Sequence, residues 1–138
     1  MLRSLSPFLA EPRVTAIAIS VTREELDNQP EWLTDLDKRI VIVEGGATRG
    51  ASVACAIAAL PDDVTEIAVH DGARPLVAPE VISRCIDVAR TGVGAVAGEP
   101  MIDTVKRVDK EDFVTATTDR STLWSAHTPQ VFPAMMLR

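Results

Sequence analysis

Short apolar, β-branched runs recur along the chain with longer amphipathic segments between them. Val14 to Val21 (VTAIAISV), Arg39 to Val43 (RIVIV), Thr65 to Val69 (TEIAV) and Gly94 to Ala97 (GAVA) read as buried strands. Leu2 to Glu11, an interrupted stretch from Thr22 to about Leu36, Gly50 to Leu60 and Ala78 to Arg90 read as helices that stop at Pro, Gly or Asp. Thr22 and Glu25 have capping-box spacing, and Pro79 suits a first helical position, where its missing N–H costs nothing. The alternation predicts an α/β fold. It is a Rossmann-like, mostly parallel sheet with helices on both faces, since right-handed crossovers lay a helix over each strand pair.

After Pro100 the period changes to two. Asp103 to Val108 (DTVKRV) and Phe113 to Thr118 (FVTATT), joined by the polar turn DKED, predict a β-hairpin. Its faces are largely Thr, Lys and Arg, so it is expected to project as an arm and to need a partner surface. Residues 1–138 are read as one domain, with 100–122 as the arm.

Charge and composition narrow the function. A net charge of -6 repels polyanions, so nucleic-acid polymers are disfavoured as partners, although a local group of arginines can still attract a small phosphorylated ligand. Cys55 and Cys85 stand far apart among apolar residues without metal-ligand spacing. That favours a reducing, cytoplasmic setting over a disulfide scaffold or a zinc site. The longest apolar stretch, Val53 to Leu60, is well short of the roughly 20 residues a spanning helix needs.

In an open parallel sheet, ligands collect at the carboxyl ends of strands. After RIVIV comes the glycine-containing loop Glu44 to Ser52, whose backbone amides and helix start suit an anion or a base edge, with Arg49 and Ser52 adding a charge and a hydroxyl. The alternative is a plain glycine turn with Ser52 serving the first helical turn. After TEIAV comes His70-Asp71-Gly72-Ala73-Arg74-Pro75. Here Asp71 can hold a metal or a sugar hydroxyl and Arg74 offers a fork to phosphate, or else the two form a local ion pair ahead of Pro75. Asp103, Thr104, Lys106 and Arg107, then Asp119 and Arg120, suit either a phosphate clamp or a solvated hairpin face. Ser125 to Gln130, between Trp124 and Phe132, is either a pocket wall or an anchored loop.

Taken in order, GGATRxxSV, VHDGARPLV, DTVKRVD and DRSTLWSAHTPQVF resemble the motifs of the 2-C-methyl-D-erythritol 4-phosphate cytidylyltransferases, over essentially the whole chain. The resemblance implies a nucleotidyltransferase fold and a homodimer whose arms cross between subunits. Its substrates are CTP and methylerythritol phosphate, with Mg²⁺ bound to the CTP. It implies that Gly46, Ala47 and Ser52 contact cytosine, and that Asp71 and Arg74 line the centre where the substrates meet, Arg74 on the methylerythritol phosphate. Thr104 and Arg120 come from the neighbouring arm to position that phosphate, and Thr128 closes the pocket. Arg120 and Asp71 are the implied catalytic pair, His70 and Gln130 support the loops, and Gly72 stands where the family usually has Ala.

The same resemblance sets two further expectations. The family opens with a strand and a glycine-rich loop carrying an Arg and a Lys, which nothing before Val14 matches, and it continues past TPQ to another Lys. Met1 is therefore expected to correspond to an internal residue of a longer member. These 138 residues alone are expected to turn over weakly, with a sheet edge unpaired. The competing readings are a catalytically inactive phosphate-binding or dimerising module, and a receiver-like domain with Asp71 as phosphoacceptor, for which no acidic cluster or downstream Lys is evident.

Overall fold

The computed structural model describes residues 2–138. In chain order the elements are α1 (Leu2–Ala10), β1 (Ile17–Val21), α2 (Arg23–Asp27), α3 (Glu31–Thr34), β2 (Ile40–Glu44), α4 (Arg49–Ala58), β3 (Glu66–Val69), α5 (Pro79–Ala89), β4 (Ala95–Pro100), β5 (Lys106–Val108), β6 (Val114–Thr117) and β7 (Trp124–Pro133). Short 3₁₀ turns cover Arg120–Thr122 and Ala134–Met136. The expected capping box forms, with the Thr22 side chain accepting from the Glu25 amide and the Glu25 carboxylate accepting from the Thr22 amide. The interrupted helix after it is two short ones, with Asn28 to Pro30 between them, as the backbone restriction before a proline favours.

The α/β class holds, but parallel pairing is confined to β1 and β2, where Ile17 lies opposite Ile40 and Val21 opposite Glu44. The other central strands form a separate sheet in the order β3-β7-β4, antiparallel throughout, with Ile67 opposite Phe132 and Ala95 opposite Val131. This corrects the loop reading of Ser125 to Gln130: that segment lies within β7, the central strand. Proline in a strand normally argues against a central place, since it cannot donate to the ladder. Pro129 is accommodated because the ladder is bulged there. Gln130 pairs with Val96 and Ala126 with Gly98, so His127, Thr128 and Pro129 together face the single residue Ala97. Opposite the far side of this bulge, a Cβ on Gly98 would lie 2.9 Å from the Ser125 carbonyl oxygen, so only glycine permits that approach.

The buried core is formed by Phe8 of α1, Ile82, Cys85, Ile86 and Ala89 of α5, Ala95 of β4 and Val131 of β7. Ile82 and Val131 are completely enclosed. Burial pushes the Cys85 thiol up, as suits a small apolar packing residue. A polar clasp ties α1 to α5. Arg13 pairs with the buried Glu11 at 2.7 Å and with Asp87 at 2.5 Å, and Ser83 donates to Glu11 at 2.6 Å. These bonds, chiefly those from Arg13 and Ser83, hold the Glu11 carboxyl down at about 2.

No ladder joins β1 to β3 among the described residues. Between them runs a groove of about 860 Å³ walled by Ile17, Ile19, Ile67 and Val69, with Val53 and Ile57 of α4 along it. The hairpin β5–β6 pairs only with itself, with every strand residue exposed.

Candidate functional site

The loop after β2 is built by close packing. Thr48 caps α4, its hydroxyl accepting from the Ala51 amide, so Ser52 is released from that task and donates to the Gly46 carbonyl at 3.2 Å. A Cβ on Gly46 would lie 2.4 Å from the Ala51 Cβ, so glycine is what lets the loop fold against its own helix. The Gly45 amide donates to the Val21 carbonyl at 2.7 Å, which fixes the loop at the ends of both parallel strands. Gly46 and Ala47 remain exposed, with Ser52 half-buried beneath them.

The turn after β3 is held by a continuous hydrogen-bond chain. The Asp71 amide donates to Thr128 Oγ1 at 3.2 Å, and Thr128 Oγ1 lies 3.0 Å from His70 Nδ1. His70 Nε2 in turn lies 3.0 Å from the Arg74 carbonyl oxygen. Since that carbonyl can only accept, Nε2 carries a proton, and the Thr128 hydroxyl is placed to donate to Nδ1 of a neutral His70. Partial burial, against Phe8 at a ring-centroid distance of 4.9 Å, lowers its proton affinity in the same sense. Thr128 is thus a buried fastener between the bulge of β7 and the Asp71 turn, and Ser4 of α1 adds a bond of 2.6 Å to the Gly72 carbonyl.

Two arginines meet on Asp71. Arg49, at the start of α4, reaches Oδ1 at 2.8 Å, and Arg74 approaches Oδ2 with its Nε at 3.4 Å. The hydrogen bonds from Arg49, more than those from Arg74, hold the Asp71 carboxyl below the usual aspartate range. The Arg49–Asp71 pair draws together the loops after β2 and β3, so Gly46, Ala47, Ser52, Asp71, Arg74 and Thr128 occupy one end of the molecule. Asp71, Arg49 and Ser52 line the β1–β3 groove. Arg74 instead faces a second groove of about 910 Å³, shared with Arg84, Glu99, His127 and Thr128. The Asp71–Arg74 pair therefore stands between the two.

Thr104 and Arg120 are not brought to this cluster within the chain. Thr104 lies in the segment between β4 and β5, and Arg120 donates to the Ile102 carbonyl, with no bond to Asp71, Arg74 or Thr128 among the described residues. Three residues gain a place that sequence reading did not assign. Thr48 is the helix cap, Arg49 is the principal partner of Asp71, and His127 accepts a hydrogen bond from Arg74. Thr48 was findable as the hydroxyl just before the helix; the other two are long-range pairings.

Metal binding by the chain itself is not what this donor set favours. Asp71 is a single carboxylate engaged by two guanidinium groups, and no cluster of three or more His, Cys, Asp or Glu with metal-binding geometry occurs among the described residues. Among the described residues, no helix is long and apolar enough to cross a membrane.

Comparison with known proteins is uniform. The family model described as "IspD: 2-C-methyl-D-erythritol 4-phosphate cytidylyltransferase" matches residues 1–138. A protein of that name from Parasynechococcus marenigrum is 39% identical over 122 residues, covering 87% of this chain and 54% of the relative. One from Synechococcus sp. strain CC9902 is 36% identical over 141 residues, covering 99% and 62%. Among solved structures, 4-diphosphocytidyl-2C-methyl-D-erythritol synthase from Anaerococcus prevotii superposes with a TM-score of 0.87 at 25% identity, over 97% of this chain and 59% of that one. The 2-C-methyl-D-erythritol 4-phosphate cytidylyltransferase of Thermus thermophilus gives 0.80 at 27% identity, over 98% and 60%. The chain spans about half the length of the curated relatives it matches.

Proposed function

We propose a function from one premise: the chain belongs to the 2-C-methyl-D-erythritol 4-phosphate cytidylyltransferase family. The reaction is transfer of a cytidylyl group from CTP to 2-C-methyl-D-erythritol 4-phosphate, with release of pyrophosphate, in the non-mevalonate route to isoprenoids. The observation that carries it is that the Arg49–Asp71–Arg74 cluster joins the loops after β2 and β3 with a groove on either side, an arrangement suited to holding two phosphate-bearing substrates next to each other for transfer.

In this reading the loop of Gly46, Ala47 and Ser52 takes the cytosine edge, and the triphosphate lies toward Arg49. Arg74 holds the acceptor phosphate with the guanidinium N–H groups that Asp71 leaves free. An acceptor phosphate oxygen bonds to the α-phosphorus of CTP as the anhydride bond to the β-phosphate breaks, and pyrophosphate leaves with the electron pair. Asp71 holds the two arginines in place and meets substrate hydroxyls. Thr128 acts through the turn it fastens, and it lines the groove on the acceptor side. Mg²⁺ enters as an ion borne by the triphosphate, in keeping with the lone, arginine-engaged carboxylate.

The arm belongs to the same proposal. An isolated two-stranded hairpin is marginally stable, and Phe113 and Val114 on this one are 71% and 61% exposed. A second copy of the chain would cover it and bring Thr104 and Arg120 to the neighbouring acceptor groove, making a homodimer in the cytoplasm.

Pyrophosphate release tests the reaction, measured on these 138 residues and on any longer reading frame that contains them. CTP with methylerythritol phosphate is expected to be the productive pair, and equal turnover with UTP or with an unrelated sugar phosphate would overturn the assignment. Within the site described, Asp71 offsets one of the two positive charges offered to a triphosphate, so turnover that relies on these groups alone is expected to be weak.

A further inference from the structure

Arg74 is held from a second side, by a residue outside the phosphate and base contacts described above. Its Nη1 lies 2.8 Å from His127 Nδ1, and His127 Nε2 lies 3.3 Å from Glu99 Oε1. A guanidinium can only donate, so Nδ1 must be the acceptor and the imidazole proton sits on Nε2, where the Glu99 carboxylate receives it. The order Glu99, His127, Arg74 is therefore a directed chain of donors and acceptors, with Glu99 fixing the tautomer that Arg74 requires. The backbone produces this meeting. The bulge of β7 carries His127 out of register, the neighbouring strand β4 supplies Glu99, and Gln130 donates to the His127 carbonyl at 3.4 Å.

The consequence lies in which N–H groups Arg74 keeps. Nε is directed to Asp71 and one N–H of Nη1 to His127, so the guanidinium is pinned at two points and its Nη2 edge is left without a protein partner among the described residues. A long arginine side chain otherwise loses much rotamer freedom on binding an anion, and holding it beforehand removes that cost. We propose that His127, oriented by Glu99, is a positioning residue that presents the free edge of Arg74 to a phosphate monoester in the groove beside β4. The proposal deepens the reading of Arg74 as the acceptor-phosphate residue and rests on it.

Two measurements on the intact chain test it. In a nitrogen-15 spectrum of the imidazoles, His127 is expected to show an unprotonated Nδ1 and a protonated Nε2 at neutral pH, and a protonated Nδ1 overturns the proposal. Titration with methylerythritol phosphate, and with inorganic phosphate as a minimal probe, is then compared between variants. His127→Leu is expected to weaken both about tenfold and Glu99→Gln about threefold, while His127→Gln, which keeps an acceptor, stays within about twofold of the parent. Because Glu99 is exposed and His127 is half-buried at the groove edge, outside the buried core, thermal melting should move little in all three. Unchanged affinity in His127→Leu overturns the proposal, as does equal weakening in His127→Gln and His127→Leu.

In an active form of the polypeptide, the loss should appear in KM for the acceptor with kcat and KM for CTP little changed. Phosphate binding that depends on His127 without any cytidylyl transfer would sink the proposed reaction and keep this inference. Transfer with an unaltered acceptor KM in His127→Leu would do the reverse.

Discussion

The two halves of the molecule are built to different standards. Around β3, β7 and β4, helices α1 and α5 enclose a continuous core, and the turn of Asp71 and Arg74 is anchored in it through Thr128, His70 and Ser4. Around β1 and β2, no residue of α4 is buried and every residue of β1 is only half-buried, because the groove opens along them. The groups assigned to the acceptor thus stand on the firm half and those assigned to the cytosine on the loose half. The salt bridge from Arg49 to Asp71 joins the halves at the site itself. On the proposed reading, precision in placing an acceptor phosphate would follow from the fold, whereas the loop proposed for the base would have more room to adjust.

The sharpest way to break this contrast is to truncate equivalent apolar side chains on each side. Ile82→Ala, in the sealed core, should cost about 2–5 kcal/mol in urea unfolding. Ile57→Ala, beside the open groove, should cost about 1 kcal/mol. Equal losses would mean that α4 is as well packed as α5.

Arg74→Ala should come next in size. It is expected to lower kcat/KM for the acceptor about 100-fold in an active form of the polypeptide while leaving CTP affinity within a few-fold, whereas Ser52→Ala should show the opposite preference. Steady-state kinetics with each substrate varied would separate the two, and a shared effect would deny the division of labour.

Acid should loosen the firm half first. The folded-state affinity of Glu11 for a proton is depressed to about 2, so its contribution to stability is complete above about 4.5 and is lost as pH falls toward 2. His70, also depressed, loses its contribution as pH falls below its ordinary value of about 6.5, since only the unfolded chain then readily takes the proton. Melting temperature should therefore decline in two stages on acidification. Glu11→Gln is expected to reduce the lower one, on the order of 1 kcal/mol after allowing for the partly exposed Arg13, with the remainder left to Asp37, which Arg39 also holds down at about 2; an unchanged acid limb in that variant would exclude Glu11 as a contributor.

Arg49→Ala should have the smallest effect on stability, below about 1 kcal/mol, because its pair is exposed. Its effect should show instead as faster amide exchange in the loop of Gly45 to Thr48 with the Asp71 turn unchanged. Equal acceleration in both turns would show that the bridge supports the firm half as well.

Much of this was legible in the chain. The helices α1, α4 and α5, the strands β1 to β3 and the hairpin all follow from local period and end signals, and their observed bounds differ by a few residues. Strand β7 was not legible, because Ser125, His127, Thr128, Pro129 and Gln130 break the alternation and a proline argues against a central strand. Only the bulge opposite Ala97 makes that sequence compatible with the ladder. In the site, the candidates Asp71, Arg74, Ser52 and Gly46 were visible as loop residues after strands, and Thr128 as part of a motif. The roles of Arg49 and His127 were not, since their partners lie far along the chain.

Local patterning by itself determined which segments are helical or extended, that the class is α/β, and which loops carry charge and glycine, because those properties depend on neighbours a few positions apart. Tertiary structure decided that β7 runs antiparallel between β3 and β4, that Asp71 serves two arginines, and that His127 stands between Arg74 and Glu99. Those pairings are set by strand register and by the packing of distant segments, and register is a global choice: a single bulge moves every side chain beyond it to a new partner.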